Sequence, residues 1–193
     1  MGVCMSSEEF SALPLVPQSN FVAIDHTFTA PRVVTLDVKC QIWSSLGKDF
    51  LIRDADTGEV YFRLEAKDSS FHDQKVLRDN RGNVVAVTKE DLREYTQHVY
   101  SSEATDHELL AIKARHNVGY PELGCSVRNL STGRVHELRC KGAWTHRAII
   151  SIDGGVVIAK IDQKFDLGGV RYSVEVAPGV DLALMTLVCI AMD

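Results

Sequence analysis

The sequence contains none of the short motifs that mark the common enzymes and metal sites. It has no C-x-x-C pair, no H-E-x-x-H, no G-x-S-x-G, no P-loop and no G-x-G-x-x-G. Its five cysteines are odd in number and widely spaced, so we predict neither a disulfide framework nor a zinc site. These cysteines are Cys4, Cys40, Cys125, Cys140 and Cys189. We therefore expect no enzymatic activity, no metal and no cofactor, and the cysteine pattern favours the reducing cytoplasm.

Signals for export and for nucleic-acid binding are also missing. No apolar stretch with basic flanks begins the sequence, so we expect no secretory signal. The formal net charge of −5 argues against a protein that attracts nucleic acid by general electrostatics. With 193 residues, of which 45% are hydrophobic and 24% charged, the chain has the composition of one compact soluble domain.

One long apolar segment is present, Leu182–Met192, and it carries no charge and no hydrophilic face. As a helix, residues 179–193 would span roughly 20 Å, which is short of the about 30 Å hydrocarbon core of a bilayer. We therefore predict a helix that is buried along its whole length, Met192 included, and no transmembrane span. Because a helix that is apolar on all sides needs apolar partners on all sides, the expected enclosure is a closed barrel.

The rest of the chain consists of short apolar runs on either side of turn residues. Residues 50–62, 75–85 and 125–135 each predict a β-hairpin, because Asp or Asn accepts local hydrogen bonds and Gly adopts the positive φ of the turn. Residues 149–158 and the turn at 167–170 continue the pattern. Further strands are predicted at 84–87, 97–100 and 108–114. Strands and turns at this spacing are typical of a sandwich or barrel.

Four segments together carry a resemblance to a known family. They are Ala177-Pro-Gly-Val-Asp181 before the apolar tail, Thr29-Ala-Pro31, Lys141-Gly-Ala-Trp144 and Ala159–Phe165. With the repeated hairpins, they resemble the LURP-one-related family of the tubby C-terminal-like superfamily, from about residue 20 to the end. The resemblance implies a mainly β fold: a closed antiparallel barrel of about twelve strands that encloses the final helix, in one domain over residues 21–193.

The resemblance also sets expectations about function. In tubby proteins the similar barrel binds phosphoinositides, and in phospholipid scramblases a related domain is tied to lipid movement. The LURP-one-related proteins themselves mostly lack an assigned biochemical role. The implied function is a non-enzymatic binding or adaptor module, with an anionic phospholipid head group as the expected ligand. The alternatives are a protein-binding scaffold in stress or defence signalling and, ranked lower, a scramblase-like use of the C-terminal helix.

The opening segment through Pro31 lacks periodicity, and residues 1–20 are expected to be variable and mobile. Met1–Ser6 fits M-G-x-x-x-[ST], in which Gly2 accepts a myristoyl group after removal of the methionine. One myristoyl chain binds membranes only marginally, and palmitoylation of Cys4 would supply a second signal. The hypothesis is a cytoplasmic protein held peripherally at a membrane by an acylated N-terminus. The alternative is an unmodified start.

Basic residues supply the candidate lipid-binding site, because a head group needs several converging donors. Along the strand predicted at 135–141, alternation places Arg139 and Lys141 on one face, where they could bind a phosphate together, and points Leu138 and Cys140 inward. The other candidate pairs are Arg78 with Arg81 and Lys89 with Arg93. The alternative for all of them is a solvated outer barrel face.

Two further features receive structural interpretations. Asp54, Asp56 and Gly58 approximate a calcium loop, but Glu59 stands at the position that requires glycine, so a hairpin turn is predicted instead. Trp144 is expected to cap the core and not to bind a ligand.

Overall fold

The computed structural model describes residues 6–41, 49–67, 74–117, 120–142, 147–166 and 169–192. Within these ranges the helices and strands follow one another in a simple order. They are α1 (Ser7–Ala12), a 3₁₀ turn (His26–Phe28), β1 (Val34–Gln41), β2 (Asp49–Asp54), β3 (Val60–Lys67), β4 (Gln74–Asp79), β5 (Val84–Asp91), β6 (Thr96–Tyr100), β7 (Glu108–Asn117), β8 (Tyr120–Arg128), β9 (Val135–Gly142), β10 (Arg147–Ile152), β11 (Val156–Asp166), β12 (Gly169–Val176) and α2 (Leu182–Ile190).

The strands form one closed antiparallel barrel. From β2 to β12 each strand pairs with the next along the chain, and β1 closes the barrel by lying between β12 and β2. At the closure Val34 is opposite Val176, and Leu36 is opposite Val174. The predicted fold is confirmed, and the hairpins expected from the turn residues are β2–β3, β4–β5, β8–β9 and β10–β11.

Alternation along the strands decides which side chains face the interior. In β10, Ala148, Ile150 and Ile152 are buried, whereas the residues between them are partly exposed. The inward apolar side chains of the barrel belong to one hydrophobic cluster. The strand patterns in the sequence therefore place the core inside the barrel.

The turn between β2 and β3 explains the apparent calcium loop. Asp54 Oδ1 accepts hydrogen bonds from the amides of Asp56 (2.9 Å) and Thr57 (3.1 Å). Gly58 has a φ of 74°, which glycine adopts without strain. The carboxylate of Asp54 thus organises a backbone turn, as the hairpin prediction requires.

Helix α2 packs in the core that the strands line. Every one of its residues is buried, and none is more than 4% exposed. The buried hydroxyl of Thr186 donates a hydrogen bond to the carbonyl oxygen of Leu182 at 2.8 Å, so this polar group is satisfied inside the core. The predicted buried helix is confirmed. No helix within the described ranges is long and apolar enough to cross a membrane.

Helix α2 is shorter than the apolar segment that predicts it. It begins only after Asp181 and ends at Ile190, and Met192 beyond it is partly buried and not inaccessible as expected. Met192 Sδ lies 3.4 Å from Cys140 Sγ, near the end of β9. The apolar composition therefore predicts burial better than it predicts where the helix stops.

Asp181 joins the N-terminal segment before β1 to the start of α2. Its Oδ1 accepts hydrogen bonds from the amides of Ala183 (2.9 Å) and Leu184 (3.2 Å), which caps α2. Its Oδ2 accepts from the amides of Ala23 (3.1 Å) and Ile24 (2.7 Å) in the N-terminal segment. Complete burial raises the pKa of Asp181, while these amide donors act in the opposite direction. The aspartate of the A-P-G-V-D motif therefore has a structural role.

The glycine of the same motif allows a close crossing of two chain segments. Gly179 has a φ of 74°, and a Cβ at this position would lie 1.9 Å from the carbonyl oxygen of Gln18. The amide of Gln18 also donates to the carbonyl oxygen of Pro178 at 2.9 Å. Only glycine fits this contact.

Helix α1 docks on the outside of the barrel. Ser6 caps it: the amide of Glu9 donates to Ser6 Oγ at 3.2 Å, and the amide of Ser6 donates to Glu9 Oε2 at 2.9 Å. Phe10 is 8% exposed and lies near the cationic groups of Arg147 (5.5 Å) and Lys160 (5.8 Å). The sequence predicts no regular element here, because a helix of 6 residues is too short to show a helical period.

Candidate functional site

Three basic side chains lie on the outer face of neighbouring strands. Lys67 is in β3, Arg78 in β4 and Lys89 in β5. Lys67 is opposite Gln74, and Gln74 is opposite Lys89, so the two lysines share one row across the sheet. Arg78 lies on the same face of β4, opposite the exposed Arg63. We call Lys67, Arg78 and Lys89 the β3–β5 basic face.

The loop that joins β6 to β7 reaches across this face. Arg78 Nη2 donates to Glu103 Oε1 at 2.8 Å, and Lys67 Nζ donates to Glu103 Oε2. Lys89 Nζ donates to Thr105 Oγ1 at 2.9 Å. Cations from three adjacent strands therefore converge on oxygen atoms of a single loop.

Two valines beneath this loop are buried although they point outward. Val76 is opposite Val87, and Val87 is opposite Tyr100. Their neighbours Leu77 and Ala86 belong to the interior cluster, so alternation directs the valines to the outside. Both valines are 0% exposed. Because the cations of the β3–β5 basic face, on the same outer face as these valines, donate hydrogen bonds to the loop, we infer that the loop, residues 101–107, covers this apolar strip.

The loop carboxylate is held electrostatically. Hydrogen bonds from Lys67 and Arg78 lower the pKa of Glu103 below its ordinary value. Glu65 also approaches Arg78, with 3.5 Å between Arg78 Nε and Glu65 Oε2. The arrangement is suited to hold an anionic group that offers several oxygen atoms. Within the described ranges, no group of three His, Cys, Asp or Glu side chains could hold a metal ion.

The pair predicted on β9 has a different environment. Arg139 and Lys141 face outward while Leu138 and Cys140 are buried, which confirms the predicted alternation. Both cations approach the carboxylate of Glu122, at 3.7 Å for Arg139 Nε and 3.9 Å for Lys141 Nζ. Glu122 is only 7% exposed and belongs to strand β8. A carboxylate fixed in the barrel wall therefore already occupies the space between them.

The thiol of Cys140 lies behind this pair. Burial raises its pKa to about 12, so the thiol stays protonated and does not act as a nucleophile.

Two other predicted residues lie in exposed turns at opposite ends of β5. Arg81 is in the turn before β5, and Arg93 is in the turn after it, between the exposed side chains of Leu92 and Tyr95. Arg78 and Lys89 therefore share the loop between β6 and β7, which each contacts at a different residue, and neither is paired with the sequence neighbour predicted as its partner. Gly2, Cys4 and Trp144 lie outside the described residues.

Sequence reasoning missed Lys67 and Glu103. For Lys67 a signal exists, because alternation in β3 places it on the outer face with Arg63 and Glu65. For Glu103 there is none, since its hydrogen-bond partner Lys67 is 36 positions away in the sequence.

Comparison with known proteins identifies the family. The model of the family described as LURP-one-related matches residues 34–193, from the first strand to the end of the chain. The chain belongs to the LURP-one-related family. The predicted membership of the LURP-one-related family is thereby confirmed. The family is of uncharacterised function and is not a known enzyme family.

One curated relative and one solved structure agree with this assignment. Protein LURP-one-related 15 of Arabidopsis thaliana is 24% identical over 190 residues, which cover 92% of this chain and 87% of that protein. The X-ray structure of a protein from Arabidopsis thaliana superposes with a TM-score of 0.65 at 25% identity, covering 89% of this chain and 96% of that one. The solved structure supports the barrel fold.

Proposed function

We propose that this LURP-one-related barrel is a non-enzymatic module that binds anionic phospholipid head groups at a membrane surface. The observation that carries the proposal is the convergence of Lys67, Arg78 and Lys89 on the oxygen atoms of one loop. A head group with several phosphate oxygens presents the same kind of acceptors to the same donors. The resemblance to tubby-like barrels, in which phosphoinositides bind, supports the same ligand class.

The β3–β5 basic face is favoured over the pair on β9 for a physical reason. Glu103 belongs to a connecting loop, whose displacement leaves the strands paired. Glu122 belongs to β8 and is buried, so it cannot leave Arg139 and Lys141 without disturbing the barrel wall. We therefore rank Arg139 and Lys141 second.

Membrane attachment is proposed to have two parts. An acyl group on Gly2, with or without one on Cys4, would hold the protein at the cytoplasmic face of a membrane. Head-group recognition by the β3–β5 basic face would then select the membrane. Acyl anchoring and head-group recognition can be separated experimentally, because recombinant protein without acylation keeps the recognition and lacks the anchor.

Vesicle flotation tests the recognition. Unacylated protein should float with phosphatidylcholine vesicles that contain phosphatidylinositol 4,5-bisphosphate, and less with phosphatidylserine vesicles of equal total charge. Arg78→Glu combined with Lys89→Glu should remove binding. The matched control is Lys39→Glu with Arg53→Glu, an equal charge reversal at exposed residues of β1 and β2.

Each outcome of the flotation experiment is informative. Loss of binding in Arg139→Glu with Lys141→Glu, but not in the β3–β5 variant, would transfer the site to β9. Equal loss of binding in the Lys39→Glu, Arg53→Glu control would show that the vesicles attract the protein through its net charge and not through the β3–β5 basic face. If the wild-type protein ignores both vesicle types at low salt, the lipid proposal fails and the protein-binding scaffold takes its place.

A further inference from the structure

The position of Glu103 suggests which head groups the site accepts. Its two carboxylate oxygens accept hydrogen bonds from two cations of different strands, Arg78 on one oxygen and Lys67 on the other. A phosphate group bound between the same two cations would need the same space. Ligand binding at this face is therefore a competition with a side chain of the protein itself.

The charges of the competitors decide this competition. A glutamate carboxylate carries one negative charge, and so does a phosphodiester. A phosphomonoester carries about −1.5 to −2 at neutral pH and has three acceptor oxygens. Only the monoester offers the two cations more charge and more acceptors than the carboxylate they already hold.

We infer that Glu103 occupies the phosphate position of the site and thereby restricts it to phosphomonoester head groups, excluding phosphodiester lipids. This inference rests on the proposed function and names the ligand class of the same site. The carboxylate of Glu103 competes with every ligand for Lys67 and Arg78. A ligand therefore binds well only if these two cations hold it more strongly than they hold Glu103. Displacement of the loop also uncovers Val76 and Val87, which are otherwise buried beneath it.

The direct test compares two lipids that differ by one phosphomonoester. Phosphatidylinositol 4-phosphate and phosphatidylinositol are each placed in phosphatidylcholine vesicles at equal total charge. Wild-type protein should prefer the monoester by about tenfold, the effect of one charge-assisted hydrogen bond. Glu103→Gln should bind phosphatidylinositol more tightly than wild type does, so that the preference falls.

Two further variants keep the result interpretable. Glu8→Gln removes an equal charge from an exposed position of α1, the helix that docks against Arg147 of β10 and Lys160 of β11, and should leave the preference unchanged. Glu103→Gln combined with Arg78→Gln should not bind phosphatidylinositol more tightly than wild type does, because the Arg78 guanidinium that the carboxylate releases is then absent. Glu103 is a surface residue whose ion pairs stabilise the fold only slightly, so the melting temperature of Glu103→Gln should lie within a few degrees of that of wild type.

Soluble competitors distinguish a head group from free phosphate. Inositol 1,4-bisphosphate should displace the wild-type protein from phosphatidylinositol 4-phosphate vesicles, and inorganic phosphate at the same concentration should not. Equal displacement by inorganic phosphate would overturn the head-group assignment.

The inference and the proposed function can fail separately. If wild-type protein floats with phosphatidylinositol 4-phosphate and Glu103→Gln keeps the same preference, the role of Glu103 is wrong while lipid binding stands. If neither wild type nor Glu103→Gln floats with either lipid, the role of Glu103 is wrong, and flotation with phosphatidylinositol 4,5-bisphosphate then decides separately whether the lipid proposal stands.

Discussion

Asp181 and Ile24 are joined by a hydrogen bond of 2.7 Å between the carboxylate Oδ2 and the backbone amide, across 157 positions of sequence. The same carboxylate caps α2 through its other oxygen. One buried side chain therefore holds the N-terminal segment against the start of the core helix. This contact links the first part of the fold to the last.

Replacement of Asp181 should be among the most damaging single changes. Asp181→Ala removes the helix cap and leaves several buried amides without an acceptor, so we expect a loss of at least about 3 kcal/mol in the free energy of unfolding. Urea denaturation measures it. Asp25→Ala, which removes an exposed cap of the 3₁₀ turn, is the control and should cost only about 1 kcal/mol. Equal losses in the two variants would contradict the structural role of Asp181.

Gly179 provides a second test of the same junction. Gly179→Ala adds a Cβ that would collide with the carbonyl oxygen of Gln18, in addition to the strain of a positive φ. We expect a melting temperature well below that of Gly82→Ala, in which φ is also positive but no atom lies within 4 Å of the new Cβ. Gly82→Ala should cost about 1 kcal/mol. Similar melting temperatures would mean that the crossing at Gln18 is looser than described.

The contact of Glu103 predicts a specific pH dependence. Its pKa in the folded protein lies below the ordinary 4.5 because Lys67 and Arg78 donate hydrogen bonds to the charged form. The stabilisation is therefore fully present above the pKa of glutamate in the unfolded chain, and it is lost as the pH falls through the lower folded value. NMR titration of the side-chain carboxyl measures this pKa.

The same titration has an internal control. Arg78→Gln should raise the pKa of Glu103 toward its ordinary value, whereas Glu8→Gln, a charge removal on α1, should leave it unchanged. A wild-type value at or above 4.5 would show that the loop is not held by these cations.

Deletion of residues 180–193 should prevent folding. The buried side chains of α2 each contribute about 1.5 to 3 kcal/mol, and their sum rivals the roughly 5 to 15 kcal/mol net stability of a domain. Circular dichroism and thermal melting of the truncated protein test this. A cooperative melt with a native spectrum would contradict the place of α2 in the core.

Acylation is tested at Gly2. Gly2→Ala should move the protein from the membrane fraction to the soluble fraction, and intact-mass analysis should lose the acyl group. Unchanged fractionation, with no acyl mass on the native N-terminus, removes the anchor. Carbonate-resistant association that survives Gly2→Ala would favour the scramblase-like alternative.

Strand positions and core membership could be predicted because they depend on local patterns. Alternation in β9 correctly separates Arg139 and Lys141 from Leu138 and Cys140. Uniform apolarity likewise predicts that α2 is buried. Both predictions need only residues that are close in sequence.

The candidate site depends on distant residues, and the sequence could not supply it. Arg78 and Lys89 were predicted with sequence neighbours as partners, but the strand register and the loop bring them to Glu103 and Thr105. Helix α1 was missed because it is too short to show a period. Local patterns thus predict whether a side chain faces inward or outward. Its contacts depend on the strand pairing and the loops of the closed barrel.

The position of α2 in chain order has a consequence for biosynthesis. During translation, all twelve strands leave the ribosome before the helix that fills their interior. The last strand and the first must also pair to close the barrel, which is a contact of long sequence separation and slow to form. Until then the nascent chain exposes the apolar faces of its hairpins, so the growing chain depends on protection from aggregation that the finished protein does not need.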